Sequence, residues 1–302
     1  MKYYRILEQF GKPELCVETN NNTLTSLTSI NDLIVSYEYL LDVADVTGIS
    51  VSDITETILN QGIGKTFDLQ ELIRWSMEDS GPARIIKPIE PEEMWAGGLG
   101  NMVLTEDDLK NADESTKIAY NNTDISTTIY KGTNHRLVGP FDKIGIRKDT
   151  DRTIAEGEIV FIIYKGKFAG ISTGNEVAGG LASLSPNWVV PSKVFKGCAS
   201  IGPCIMSLED IKSPLELHIS LKQYRNGSKV GESSLITKFK RTPEQIIAST
   251  VSHDTPPKLV IQYTGGFAQA KNGDESVPLQ EGDIVRIDLE GVGFVENQVE
   301  LV

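Results

Sequence analysis

The chain has 302 residues, of which 39% are hydrophobic and 24% charged, so it can bury the core of a globular protein. Its 29 basic and 42 acidic side chains give a net charge of −13, which argues against a nucleic-acid-binding protein because such proteins need a basic surface. Three cysteines, no apolar leader and no apolar run long enough to span a bilayer predict a cytoplasmic protein with no membrane partner.

The first 80 or so residues have the pattern of a small α+β region. Short strands are expected at residues 3–7 and 14–17. Three helices are expected to follow: one that stops at Gly48, one over residues 52–62 and one that opens at Asp68. The apolar face of the first helix consists of Leu33, Ile34, Tyr37, Leu40 and Leu41.

The remainder of the chain has mostly strand patterns. Prolines at positions 88 and 91 place a boundary near residue 85, and a polar stretch over residues 97–122 predicts a mobile flap. Apolar residues alternate with polar ones from Leu215 to Lys222, and Asn226-Gly227 then predicts a hairpin turn. The predicted fold is α+β, mainly β, with a small α+β N-terminal domain over residues 1–85 and a β-rich domain over residues 86–302.

A pair of carboxylates precedes the most apolar segment of the chain. Glu156 and Glu158 are two residues apart on a predicted strand, so their side chains share one face. Glu176 follows the next predicted strand, over residues 167–173, and a hairpin would return it to the same place. Three carboxylates with no Cys or His cluster favour Mg²⁺, Mn²⁺ or Ca²⁺ over zinc. The alternative is a solvated strand end.

Several short motifs surround this pair in a fixed order. They are Arg84-Ile85-Ile86-Lys87-Pro88-Ile89, Tyr130-Lys131-Gly132-Thr133, Asn134-His135-Arg136-Leu137-Val138-Gly139, Ser192-Lys193-Val194-Phe195-Lys196-Gly197-Cys198, Tyr263-Thr264-Gly265-Gly266 and Gly282-Asp283-Ile284-Val285. This succession resembles the fumarylacetoacetate hydrolase family over about residues 84–302, nearest its 2-keto-3-deoxy-sugar-acid dehydratase branch. The resemblance implies a mixed β-roll catalytic domain and a homodimer.

The resemblance also implies a role for each residue of the site. Lys193 matches the family's catalytic lysine, and Lys131, Arg136 and Thr264 match positions that bind substrate. A 2-oxo acid chelates a hard cation through its keto and carboxylate oxygens, and the cation stabilises the enolate formed when a C3 proton leaves. We therefore expect a divalent-metal-dependent lyase (a dehydratase) that acts on a 2-keto-3-deoxy sugar acid or a related 2-oxo acid. The metal ligands implied by the resemblance are Glu156, Glu158 and Glu176.

Three departures from the family pattern leave alternatives open. Glu176 stands where the family usually has Asp, and the Arg and Asp that the family often has shortly after that position are missing from the segment Ala178-Gly179-Gly180. The flap contains no histidine, although Glu106, Asp107 and Glu114 offer carboxylates there. The alternatives are a C–C bond hydrolase of acylpyruvate-like β-diketo acids and a catalytically impaired homologue that binds a small molecule.

Overall fold

The structure is a computed structural model, and its elements follow one another as short strands with a few interspersed helices. It describes residues 1–20, 22–98, 101–112, 114–122, 126, 128–150, 152–183 and 185–302. The N-terminal elements are β1 (Lys2–Glu8), β2 (Glu14–Asn20), β3 (Thr23–Ser26), α1 (Leu27–Ile30), α2 (Tyr37–Thr47), α3 (Val51–Leu59), β4 (Thr66–Asp68), α4 (Leu69–Met77) and β5 (Ala83–Ile86).

The rest of the chain is dominated by strands, in agreement with the predicted mainly-β class. Short 3₁₀ turns link some of them, at Asn134–Arg136, Gly180–Ser183, Pro186–Trp188 and Leu208–Asp210. The elements are β6 (Glu93–Ala96), α5 (Glu106–Asn111), α6 (Glu114–Asn121), β7 (Ile129–Thr133), β8 (Leu137–Val138), β9 (Ile144–Ile146), β10 (Thr153–Tyr164), β11 (Lys167–Gly179), α7 (Val189–Lys193), β12 (Ala199–Met206), β13 (His218–Arg225), β14 (Ser228–Ile236), α8 (Pro243–Thr250), β15 (Leu259–Tyr263), β16 (Ala268–Gln269), β17 (Lys271–Asn272), β18 (Glu275–Ser276), β19 (Ile284–Leu289) and β20 (Gly293–Leu301).

Two sheets organise these strands. The larger follows the order β4-β3-β2-β1-β12-β11-β10-β15-β6-β7, with β5, β8 and β16 paired at its sides. The smaller follows the order β18-β17-β14-β13-β19-β20-β9. Most pairs are antiparallel, but β15 with β6, β12 with β8 and β20 with β9 are parallel. The mixed sheets and the interspersed helices give the α+β, mainly-β architecture that the sequence predicts.

The larger sheet runs across the predicted boundary near residue 85. Strand β1 pairs with β12, so that Tyr3 lies opposite Ile205. Tyr37 on α2 also donates a hydrogen bond to the carbonyl of Ala169 at 2.9 Å. The N-terminal elements therefore extend the sheet that contains β10 and β11, and the division into residues 1–85 and 86–302 stays a prediction.

Two predicted elements start three or more residues away from the observed start. Helix α2 begins after Ser36, whose hydroxyl accepts a hydrogen bond from the N–H of Tyr39, and Leu33 lies outside it with 62% of its surface exposed. The cap decides the start because it satisfies an N–H group that the first turn leaves free. Strand β13 begins at His218 because the preceding N–H of Leu217 bonds to the hydroxyl of Thr237 instead of to a neighbouring strand.

The hairpin of β10 and β11 forms the centre of the larger sheet. The segment Ile159–Tyr164 is buried, and it pairs with β11 on one side and with β15 on the other. Lys165 and Gly166 form the turn with φ of 48° and 72°, the left-handed conformation that two-residue hairpins favour. Within the part of the chain that the structure describes, no helix is long and apolar enough to cross a membrane.

Candidate functional site

Three glutamates meet on one face of the central hairpin. Glu156 lies directly opposite Glu176 in the ladder of β10 and β11, and Glu158 follows two residues along on the same face. One carboxylate oxygen of each lies within 4.8 Å of the other two. Only 2% of Glu158 and 1% of Glu176 are exposed. The predicted convergence of the three carboxylates is therefore present.

The sequence had suggested that Glu176 lies beyond the end of a strand. In the structure it lies inside β11. Strand β11 continues to Gly179 because it pairs with β10 on one side and β12 on the other, which keeps its backbone hydrogen-bonded through glycine-containing segments. The extra methylene of Glu176, compared with the Asp expected there, still leaves an oxygen within the cluster.

Two lysines from different elements, β7 and α7, approach the carboxylates. Lys131, on β7, is completely buried, and its ammonium pairs with Oε1 of Glu176 and donates to the carbonyl of Val177 at 2.7 Å. Lys193, at the end of α7, contacts Oε2 of Glu176 and lies 3.3 Å from Oε2 of Glu156. Glu176 is thus held between two ammonium groups, one on each oxygen.

The segment after β15 supplies neutral hydrogen-bond donors. The N–H of Gly265 donates to Oε2 of Glu158 at 2.7 Å, and Nε2 of Gln269 donates to Oε1 of Glu156 at 2.6 Å. A Cβ at Gly266 would lie 2.7 Å from Oε1 of Glu156, so only glycine leaves room for this carboxylate. Sequence reasoning did not assign Gln269, whose role arises from the pairing of β16 with β10.

Burial and neighbouring charges shift the pKa values of the three carboxyl groups in different directions. Burial raises the pKa of Glu156 to about 7, against the opposing effect of Lys193. Burial also raises the pKa of Glu158 well above its usual range, and repulsion from Glu176 and Glu156 adds to this. Burial has the same tendency at Glu176, but Lys131 and Lys193 outweigh it and lower the pKa of Glu176. The two lysines therefore stabilise the charge of Glu176 and leave the other two carboxyls short of positive partners.

The donor set fits a hard divalent cation. It consists of carboxylate oxygens, which Mg²⁺, Mn²⁺ and Ca²⁺ prefer. Burial raises the pKa values of Glu156 and Glu158, and a divalent cation held among these carboxylates would stabilise their charged forms. The cluster is buried, so the solvated strand end considered above does not describe it.

The remaining predicted site residues take different positions. Thr264 is buried beside β10, and its hydroxyl donates to the carbonyl of Ile159 at 2.8 Å. Arg136 donates to the hydroxyl of Thr133 and packs over Gly132, and it forms no ion pair with the glutamates among the described residues. The structure therefore places Thr264 next to the Gly265 donor and leaves Arg136 outside the carboxylate cluster.

The predicted flap is anchored beside Thr264. Asn101 is buried, and its side-chain amide donates to the carbonyl of Thr264 at 3.4 Å. The flap carboxylates Glu106, Asp107 and Glu114 are exposed on α5 and α6. Leu99, Gly100 and Asp113 lie outside the described residues.

Comparison with known proteins agrees with this architecture. The family model described as "Fumarylacetoacetate (FAA) hydrolase C-terminal" matches residues 100–300. A probable 2-keto-3-deoxyxylonate dehydratase of Haloferax volcanii is 29% identical over 220 residues, 71% of this chain and 74% of that protein. A 2-dehydro-3-deoxy-D-arabinonate dehydratase of Saccharolobus solfataricus is 30% identical over 229 residues, 72% of this chain and 74% of that protein.

A solved structure shares the fold over the whole chain. It is a 2-keto-3-deoxy-D-arabinonate dehydratase complexed with magnesium and 2,5-dioxopentanoate, with a TM-score of 0.79 and 24% identity. The match covers 100% of this chain and 99% of that one. Together with the match of the family model over most of the chain, this likeness leads to one conclusion: the chain belongs to the fumarylacetoacetate hydrolase family.

Proposed function

We infer that the protein is a divalent-metal-dependent dehydratase of a 2-keto-3-deoxy sugar acid or a related 2-oxo acid. The buried cluster of Glu156, Glu158 and Glu176 beside two lysine ammonium groups carries this inference. The two relatives named above are a 2-dehydro-3-deoxy-D-arabinonate dehydratase and a probable 2-keto-3-deoxyxylonate dehydratase, which supports the same substrate class.

The three glutamates would hold Mg²⁺, with Mn²⁺ or Ca²⁺ as the other hard cations that this donor set suits. When bound, such an ion supplies Lewis acidity towards the keto and carboxylate oxygens of a 2-oxo acid. Gln269 and Gly265 fix Glu156 and Glu158 through one oxygen each. These bonds orient the carboxylates, in the way that outer hydrogen bonds commonly orient metal ligands.

The lysines have separate tasks in this proposal. Lys131 is fixed by two buried contacts, to Glu176 and to the carbonyl of Val177, and it holds Glu176 in its charged form. The side chain of Lys193 is 22% exposed, whereas that of Lys131 has no exposed surface. We assign Lys193 to stabilising negative charge that develops on the substrate when its C3 proton leaves. The C3–H and C4–O bonds break and a C3–C4 double bond forms, and the proton from C3 and the hydroxide from C4 leave together as one water molecule.

Thr264 and Arg136 are proposed to bind the substrate. Thr264 uses its hydroxyl proton for the carbonyl of Ile159, so its oxygen retains the capacity to accept a hydrogen bond from a substrate hydroxyl. Arg136 lies in the short 3₁₀ turn that follows β7, the strand that carries Lys131. We assign it to the end of the substrate that lies away from the carboxylate cluster. A substitution of Arg136 should therefore affect KM more than kcat.

Product analysis tests the proposed reaction. The purified protein is incubated with Mg²⁺ and either a 2-keto-3-deoxypentonate or an acylpyruvate, and the products are identified by mass spectrometry. Loss of one water from the sugar acid is the expected result. Cleavage of the acylpyruvate into two acids would identify a hydrolase, and no reaction with either compound would favour the impaired, ligand-binding homologue.

Melting experiments test the metal site without turnover. Ligands that bind only the folded state raise Tm, so Mg²⁺ or Mn²⁺ should raise it, and oxalate, which mimics an enolised 2-oxo acid, should enlarge the shift. A Tm that responds to neither would overturn the metal assignment.

We also propose a homodimer in the cytoplasm. The dimer rests on the family resemblance, and sedimentation of the purified protein tests it. The location agrees with three free, buried cysteines, which suit a reducing compartment.

A further inference from the structure

Lys193 bridges two of the three carboxylates. Its ammonium contacts Oε2 of Glu176 and lies 3.3 Å from Oε2 of Glu156. The other oxygen of each carboxylate already has a partner: Oε1 of Glu176 is ion-paired with Lys131, and Oε1 of Glu156 accepts a hydrogen bond from Gln269. The oxygens of Glu156 and Glu176 that face Lys193 are therefore held less firmly by the rest of the fold than the other two oxygens are.

The two lysines differ in their freedom to leave the carboxylates. Lys131 has no exposed surface, packs 5.7 Å from the centre of the Phe195 ring and also donates to a backbone carbonyl. Lys193 stands at the last position of a five-residue helix, and 22% of its side chain is exposed. Rotation about the bonds of its flexible stem can carry the Lys193 ammonium into solvent, whereas Lys131 would have to leave its charge in an apolar interior.

We propose that the Lys193 ammonium and a divalent cation are mutually exclusive on Glu156 and Glu176, so that Lys193 acts as an internal cation that metal binding releases. This inference rests on the proposed metal site. A cation held by the same two carboxylates would approach the ammonium closely in a poorly solvated cluster, where repulsion between like charges is strong. Release of Lys193 relieves that repulsion.

The release would link the metal to the availability of the lysine. While the ammonium bridges Glu156 and Glu176, its charge is neutralised by them. After release it is free to contact an anionic group of a 2-oxo acid. Lys193 would thus become competent for its proposed role only in the metal-loaded protein.

Chemical labelling of lysines on the wild-type protein tests this proposal directly. The protein is stripped with a chelator, divided into samples with and without saturating Mg²⁺, pulsed with acetic anhydride and mapped by mass spectrometry. Calorimetry on the same samples measures Mg²⁺ binding. The expected result is faster acetylation of Lys193 with Mg²⁺, by about 5-fold or more, because a coupling between two sites is commonly of at least this size.

Two other lysines serve as matched controls. Lys131 is buried and should stay unlabelled in both samples. Lys258, which pairs with Glu38 and Asp42 at the surface, should label equally in both. Measurable Mg²⁺ binding with unchanged or slower labelling of Lys193 would overturn the release but keep the metal site. No Mg²⁺ binding at all would overturn both.

A variant provides a second, independent readout. Lys193→Met should lower Tm in the presence of chelator, because Glu156 loses its ammonium partner and Glu176 loses one of its two. In saturating Mg²⁺ the variant and the wild type should melt within about 2 °C of each other, a difference of about 1 kcal/mol for a chain of this size. An equal loss of Tm in both conditions would show that the ammonium stays on the carboxylates and would contradict the proposal.

Discussion

Glu156 and Glu176 face each other as a directly opposed pair across β10 and β11, and the ammonium of Lys193 touches both. Like charges directly opposed on a sheet destabilise it, and burial increases the cost. The hairpin tolerates the pair because its apolar continuation, Ile159–Tyr164, is completely enclosed in the core. A deeply buried part of the larger sheet therefore supports an unfavourable electrostatic arrangement, as expected where a site is built to bind a cation.

Replacing Glu158 with Gln tests whether the cluster binds a metal. Because burial already favours the neutral form of Glu158, the isosteric amide should change the Tm of the chelator-treated protein little. Mg²⁺ affinity, measured by calorimetry, should fall by more than about 100-fold, the upper end of the loss seen when only an outer partner of a ligand is removed. Turnover should be abolished.

The matched control is Glu56→Gln on the exposed face of α3. It removes the same charge from the chain but not from the cluster. Its Mg²⁺ affinity should equal that of the wild type. Equal losses in both variants would mean that net charge, and not a ligand, explains the effect.

Mg²⁺ binding should weaken as the pH falls. Burial raises the pKa of Glu156 to about 7, so below this pH the carboxyl carries a proton that a cation must displace. Each proton that the cation displaces lowers the affinity by about tenfold per pH unit. Because Glu158 also favours its neutral form, the affinity should fall by at least about tenfold per pH unit below 7. Binding should release protons, which calorimetry in buffers of different ionisation enthalpy detects. A pH-independent affinity between about pH 5.5 and 7 would contradict this assignment.

The raised pKa of Glu156 makes the chelator-treated protein less stable as the pH rises, which is opposite to the pH dependence of Mg²⁺ binding. The folded protein binds this proton more tightly than the unfolded chain, whose Glu has a pKa near 4.5. The contribution of Glu156 to stability is therefore complete below pH 4.5 and is lost as the pH rises through 7. Comparison with Glu156→Gln isolates this contribution, because the amide does not titrate.

The sequence predicted the carboxylates better than the groups around them. Glu156 and Glu158 follow from the two-residue period of a strand, and Glu176 follows from a hairpin that returns the chain. Lys131 and Lys193 came only from the family resemblance, because they belong to β7 and α7, whose approach to the hairpin depends on tertiary packing. No local pattern contains that information.

Gln269 and the start of α2 show two other limits. The contact of Gln269 with Glu156 depends on the register of β16 against β10, which separates the partners by 113 residues in sequence. At α2, Leu33 continued the apolar period of the helix, but the local cap at Ser36 determined the observed start. Periodicity identifies the helix, and capping chemistry decides the residue at which it starts.

Replacing Lys131 with Met should destabilise the protein. The change leaves Glu176 buried with one ammonium group in place of two, and loss of one partner from a buried pair costs about 3–5 kcal/mol. Urea denaturation of the chelator-treated protein measures the free energy of unfolding. Adding Glu176→Gln to this variant should recover part of the loss, because it removes the buried charge that has lost one of its two ammonium partners. Strictly additive losses would contradict a direct interaction between the two side chains.

Gly266→Ala should weaken Mg²⁺ binding without unfolding the protein. The new Cβ would lie 2.7 Å from Oε1 and 2.9 Å from Cδ of Glu156, so the carboxylate must move away from its bond with Gln269. Displacement of a ligand from its supporting hydrogen bond commonly reduces metal affinity by about 10- to 100-fold. Gly62→Ala is the matched control, since its Cβ would meet only a methyl carbon of Ile30 at 3.9 Å. If Gly266→Ala bound Mg²⁺ as tightly as Gly62→Ala, the position of Glu156 would not matter to the metal, and Glu156 would lose its place among the ligands.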